Sequence, residues 1–133
     1  KRPKRLYWLH RKGTHFRLPY PSHTVSQMRK IEQQMNNAII NATNWQSANT
    51  SVHYNEEDQV SIVRLHGNKI AEIGENFIKL FDGGWQSNTT KSRLNAILSA
   101  HGAPTDRVFA KNFDWFVQID NTIVPFTNAL TIS

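Results

Sequence analysis

A chain of 133 residues, 38% apolar and 20% charged, is long enough to bury a core of its own and needs no covalent staple. It holds no cysteine, which excludes a disulfide scaffold, a thiol nucleophile and a Cys-ligated metal centre, and no apolar run reaches the roughly 20 residues needed to span a bilayer. The net charge of +6 is uneven: the first thirty residues carry nine Lys and Arg and no acid, so the remainder is −3.

In chain order, residues 6–10 and 14–18 read as two short strands around Arg11-Lys12-Gly13, where the glycine supplies a positive φ. The stretch Leu6-Tyr7-Trp8-Leu9 is cut off at once by His10-Arg11-Lys12, so no signal peptide is read there. Pro19-Tyr20-Pro21 ends the hairpin, because proline donates nothing to a ladder. A helix opens at Thr24, which has capping-box spacing to Gln27. Val25, Met28, Ile31, Met35, Ala38, Ile39 and Ala42 recur at steps of three or four and predict one buried stripe. Residues 44–54, rich in Asn, Ser and Thr, read as one strand with ragged ends, and 55–59 as an exposed acidic turn.

A meander follows, with strands at 60–66, 69–73 and 77–81 separated by Gly67-Asn68 and by Gly74-Glu75-Asn76. Asp82-Gly83-Gly84 breaks the sheet. Asn88 or Thr89 caps a second helix running to Ala100, with Leu94, Ile97 and Leu98 inward and Gly102 and Pro104 at its stop. Strands at 107–110, 114–119 and 122–126 follow, the last two joined by Asp120-Asn121. This order predicts a single α+β domain over 1–133, built of antiparallel hairpin sheets and two helices, and suggests a loose internal repeat of β-β-α-β units. Residues 1–54 form its basic half and 55–133 the rest.

The aromatics Tyr7, Trp8, Phe16 and Tyr20 interleave with the basic segment. Cations with flat rings between them suit a polyanion that has π-faces, which points to nucleic acid, DNA or RNA, before membrane. The expected nucleic-acid-binding residues are Lys1, Arg2, Lys4, Arg5, Trp8, Arg11, Lys12, Arg17, Tyr20, Arg29 and Lys30. A second candidate is the start of the second helix. Its amides, the hydroxyls of Thr89 and Thr90, and the cations Lys91 and Arg93 would make an anion cradle. The Gly-x4-Gly-Lys order of a phosphate-binding loop is absent. Capping by the hydroxyls, with an acid such as Asp82 nearby, is the plainer account. Trp85 and Trp115 read as core fillers.

Catalysis has weaker support. His10 and His15 flank the first turn and, with Lys12, would make an acid–base pair for RNA cleavage. No adjacent carboxylate fixes their tautomers, so surface histidines in a basic patch are the plainer account. Glu56, Glu57 and Asp58 are neighbours on a turn and do not converge as the acids of a two-metal nuclease would. No catalytic residue, cofactor or metal is expected.

Three stretches together resemble a group of small proteins of tailed bacteriophages. They are Val63-Arg64-Leu65-His66-Gly67-Asn68-Lys69-Ile70-Ala71; Gly84-Trp85-Gln86-Ser87-Asn88-Thr89-Thr90-Lys91-Ser92-Arg93-Leu94-Asn95-Ala96-Ile97-Leu98; and Trp115-Phe116-Val117. The similarity covers residues 60–119, with 1–54 outside it. It implies a phage origin and an accessory, regulatory or virion role, and carries no catalytic residue across. The expected function is a non-enzymatic phage protein, in the host cytoplasm or the virion, that binds nucleic acid through its basic N-terminal face. Two other roles fit the same charge. One is binding and inhibiting or redirecting a host protein; the other is a virion component whose basic arm contacts packaged DNA.

Overall fold

A computed structural model describes residues 29–133. The expected hairpin at 6–18 and the helix start at Thr24 lie outside the described residues. The element order is α1 (Lys30–Asn41), β1 (Trp45–Ser47), β2 (Thr50–Asn55), β3 (Val60–Leu65), β4 (Asn68–Ile73), β5 (Ile78–Leu80), α2 (Asn88–His101), β6 (Arg107–Lys111), β7 (Asp114–Ile119), β8 (Thr122–Pro125) and β9 (Leu130–Ile132). The strands form two antiparallel sheets, ordered β1-β2-β3-β4-β5-β9 and β6-β7-β8. With two helices among the described residues, this is the expected α+β architecture. The repeat idea rests partly on residues 6–18. Among the described residues, each helix is followed by an antiparallel meander, β1 to β5 after α1 and β6 to β8 after α2.

Tight turns set the registers. Three hairpins close on two residues that both have positive φ: His66 and Gly67 (54° and 80°), Asn112 and Phe113 (54° and 70°), and Asp120 and Asn121 (48° and 70°). That pair of angles matches the right-handed twist of the flanking strands. The first turn therefore sits one residue earlier than expected, with Leu65 paired to Asn68. Further along, β4 carries an extra residue opposite Val63 and Arg64, so Ile70 and Ala71 are buried in succession where a regular strand would alternate.

Two strands depart from expectation. The polar stretch after α1 is a hairpin, with β1 and β2 joined at Ala48 and Asn49; Ala48 takes the left-handed conformation (φ 50°) that sequence reading reserves for Gly or Asn. The chain also does not end its sheet at Phe126. Residues 130–132 return as β9 beside β5, where Ile132 is buried. The Ala129 amide donates to Leu80 O (2.8 Å), and the Asn128 side-chain oxygen accepts from the Asp82 amide (2.8 Å).

One core serves both sheets and both helices. It includes Met35 and Ile39 of α1, Val63, Ile73 and Leu80 of the larger sheet, Leu94, Ile97 and Leu98 of α2, and Val108, Trp115 and Val117 of the smaller one. The buried face of α1 is not wholly apolar. Glu32 and Asn36 lie on it, while Ile31 is only half-buried. Both polar residues are spent on α2. Asn36 Nδ2 donates to Ala96 O (3.1 Å), and Glu32 takes the partners described next.

Candidate functional site

The start of α2 is built by the loop before it. Asp82 Oδ1 accepts from the Gly84 amide (2.8 Å), and Gly83 and Gly84 both have positive φ, 70° and 86°. A Cβ on Gly83 would come within 3.2 Å of Ile70, so its bareness serves packing as well. The cap is Ser87, one residue before the expected Asn88 or Thr89: its hydroxyl accepts from the Thr90 amide at 3.1 Å. The Thr90 hydroxyl, buried, donates to Trp85 O (3.2 Å).

The four residues expected to form an anion cradle do not share one place. Arg93 is only 4% exposed and turns into the protein. Its Nη1 pairs with Glu32 Oε2 at 2.8 Å, its Nε donates to Thr50 Oγ1 at 2.9 Å, and its Nη2 donates to Asn49 Oδ1 at 3.3 Å. Ser92 donates to the same Glu32 oxygen at 2.6 Å. This clasp ties α2 to α1 and to the β1–β2 turn. The partner of Arg93 is thus Glu32, far away in sequence, and not Asp82. The physical reason is helical spacing: Arg93 adjoins Leu94 on the buried side, so its long stem leads the guanidinium inward. Thr89 and Lys91 are half-buried on the flank of the helix.

Trp85 is not a core filler. The double-glycine turn carries it outward, and it stands 75% exposed. Trp115 does fill the core, edge-on to Phe126 at 5.4 Å between ring centres. Trp85 rims a dent of about 70 Å³ that His66, Asn68, Asp82, Gly83 and Thr90 also line. The stretches 63–71 and 84–98 therefore meet in space. His66 is exposed there, and its amide donates to Asn49 O (2.7 Å), bracing the turn through the backbone.

A second surface was not singled out from sequence. The register of β6-β7-β8 sets Phe109 opposite Phe116 and Arg107 opposite Gln118 on the side away from the core. The Phe rings stack at 5.9 Å with 26° between planes, and the Arg107 guanidinium lies 4.7 Å over the Phe109 ring. Phe113, at the β6–β7 tip, is fully exposed. Beside this face an open cleft of about 480 Å³ runs between α2 and β6, lined by Asn95, Ser99, Thr105, Arg107 and Gln118 among others.

Of the expected nucleic-acid-binding residues, Arg29 and Lys30 stand exposed at the start of α1, and the rest lie outside the described residues. Among the described residues no group of three His, Cys, Asp or Glu is placed to hold a metal ion, and no helix is long and apolar enough to cross a membrane. Glu56, Glu57 and Asp58 are exposed on a turn whose amides at 57 and 58 donate to Asn55 Oδ1.

Residues 28–133 match the Kyanoviridae Gp96 protein family. The chain belongs to this family of phage proteins. No curated protein and no solved structure matches it. The family match is wider than the resemblance over 60–119 and takes in α1, so both halves of the Glu32–Arg93 clasp lie within it. What stands outside the matched region is residues 1–27, not 1–54.

Proposed function

We propose that this phage protein binds nucleic acid through the basic segment ahead of its family-matched region, without catalysing a reaction on it. The supporting observation is the partition of charge. Residues 1–27 hold seven Lys and Arg and no acid, whereas residues 28–133 are net −1. Within the matched region Arg93 is already neutralised by Glu32, and Lys69 by Glu72 at 2.6 Å. The unpaired cationic charge of the sequence is therefore concentrated in residues 1–27, and Lys and Arg that displace the counterions condensed on phosphates are the sequence-independent source of affinity for DNA and RNA. Replacing Lys1, Arg2, Lys4, Arg5, Arg11, Lys12 and Arg17 with Gln should abolish retention on either at about 50 mM salt. Undiminished retention would contradict the proposal. The unaltered protein should not hydrolyse RNA, and turnover lost in His15→Ala would overturn the non-catalytic part.

A second reading, capture of a host protein, is favoured by one observation: Trp85 offers an exposed ring beside the dent. Aromatics of this kind anchor interfaces. Trp85→Ser should then weaken a host-protein complex and leave nucleic-acid binding intact.

A further inference from the structure

We propose that the outward face of the β6-β7-β8 sheet is a stacking platform for the bases of a single-stranded nucleic acid. This rests on the nucleic-acid reading above and adds a second, differently built surface. The basic segment would hold phosphates; the sheet would hold bases.

Three observations converge on that face. The first is the ladder of Arg107, Phe109 and Phe116, a cation over a ring beside a second ring, laid across two paired strands. The opposite side of the same strands carries Val108, Trp115 and Val117 into the core, and α2 grips it there, with the Asn95 side chain accepting from the Val108 amide (2.7 Å) and donating to its carbonyl (2.9 Å). The face with the rings is thus held in place by packing behind it, as a platform must be.

The second observation is Phe113. It occupies the left-handed region (φ 70°) with its side chain wholly exposed. A bulky L-residue is disfavoured in that conformation, and here burial returns nothing for it. Neighbouring Asn112, and Asp120 with Asn121 in the next turn, show what local structure alone would select. A ring held out at a hairpin tip at a cost to the fold is suited to contact something else.

The third is charge. Arg107 and Lys111 are exposed at the two ends of β6, about 13 Å apart along the strand at the usual rise per residue. Arg107 and Gln118 also reach the open cleft, whose other walls include the hydroxyls of Ser99 and Thr105. Its carboxylate, Asp106, is buried and turned to accept from the Ala103 amide at 2.9 Å. Asp114 stands opposite Lys111 at the far end of the ladder. Cations, amide and hydroxyls around flat rings match a sugar–phosphate chain with unpaired bases. A duplex hides its base faces, so the occupant is single-stranded.

The test titrates the full chain with a labelled single strand of about ten nucleotides and with an abasic strand of the same phosphate count. The base-bearing strand should bind at least about fivefold tighter, as stacking of one or more bases requires. Phe113→Gly and Phe109→Leu should each shrink that ratio several-fold and leave affinity for the abasic strand unchanged. Arg107→Gln should weaken both strands. A ratio near one, or a ratio that survives both Phe changes, overturns the platform while leaving the electrostatic reading standing. Failure of both strands to bind overturns the nucleic-acid reading itself. If Phe109→Leu does not fold, Phe113→Gly alters only an exposed tip and carries the test alone. Loss of a protein complex in Phe113→Gly with the ratio intact would reassign the face to protein docking and so also overturn the proposal.

Discussion

Arg93 and Arg107 end in the same guanidinium, but the first is closed between α1 and α2 against Glu32, whereas the second lies over a phenylalanine ring on an open sheet. The residues around them differ in the same way. The clasp commits Ser92 to Glu32, and Thr50 and Asn49 to each other and to Arg93. The β6–β8 face leaves Phe113 and Lys111 exposed to solvent. Charge that is paired and buried builds the fold; charge and aromatic surface left open are available to a partner. A count of basic residues does not separate the two uses, because Arg93 and Arg107 contribute equally to the net charge.

The contrast can be broken first at Arg93. Arg93→Gln leaves Glu32 as a buried carboxylate without its cation, a loss of about 3 to 5 kcal/mol. Urea unfolding should show the midpoint falling accordingly, while nucleic-acid affinity per folded molecule stays unchanged. Stability held at the original level, or lost affinity in the folded protein, would mean that the two arginines are not used differently. Ser87→Ala sharpens the comparison at the start of the same helix. Losing the cap to the Thr90 amide should cost about 1 kcal/mol, again with no effect on binding. Phe113→Gly should move the other way. Relief of a left-handed penalty of about 1 to 2 kcal/mol, less the extra chain entropy of glycine, about 0.5 to 1 kcal/mol, should raise stability by up to about 1.5 kcal/mol. Preference for base-bearing strands should fall at the same time. A destabilised Phe113→Gly protein would show that the ring packs after all.

Much of this organisation is legible from the amino-acid order. The inward Leu94, Ile97 and Leu98 of α2 follow from helical period, and β7 and the Asp120-Asn121 turn from alternation and turn chemistry. What is not legible has identifiable causes. Glu32 in a first helical turn looks like an ordinary complement to the helix dipole, so nothing local marks it as the partner of a residue sixty-one positions away. Trp85 follows two glycines, and whether such a turn sends an aromatic inward or outward depends on φ values that sequence does not supply. The β1–β2 hairpin hides because Ala48 makes a turn that Ala seldom makes. The outer aromatic face was present as an alternation, Arg107, Phe109 and Lys111 against Phe116 and Gln118. Only the register shows that the two phenylalanines meet.

The central claim is that affinity for nucleic acid comes from the cationic segment ahead of the family-matched region, and the salt dependence of binding tests it most directly. With about five phosphates neutralised, log K for duplex DNA plotted against log salt concentration should fall with a slope of about −4 to −5. The seven-Gln protein should show a slope near zero at any residual affinity. A flat response from the unaltered protein, or a steep one that survives the seven substitutions, would contradict the claim.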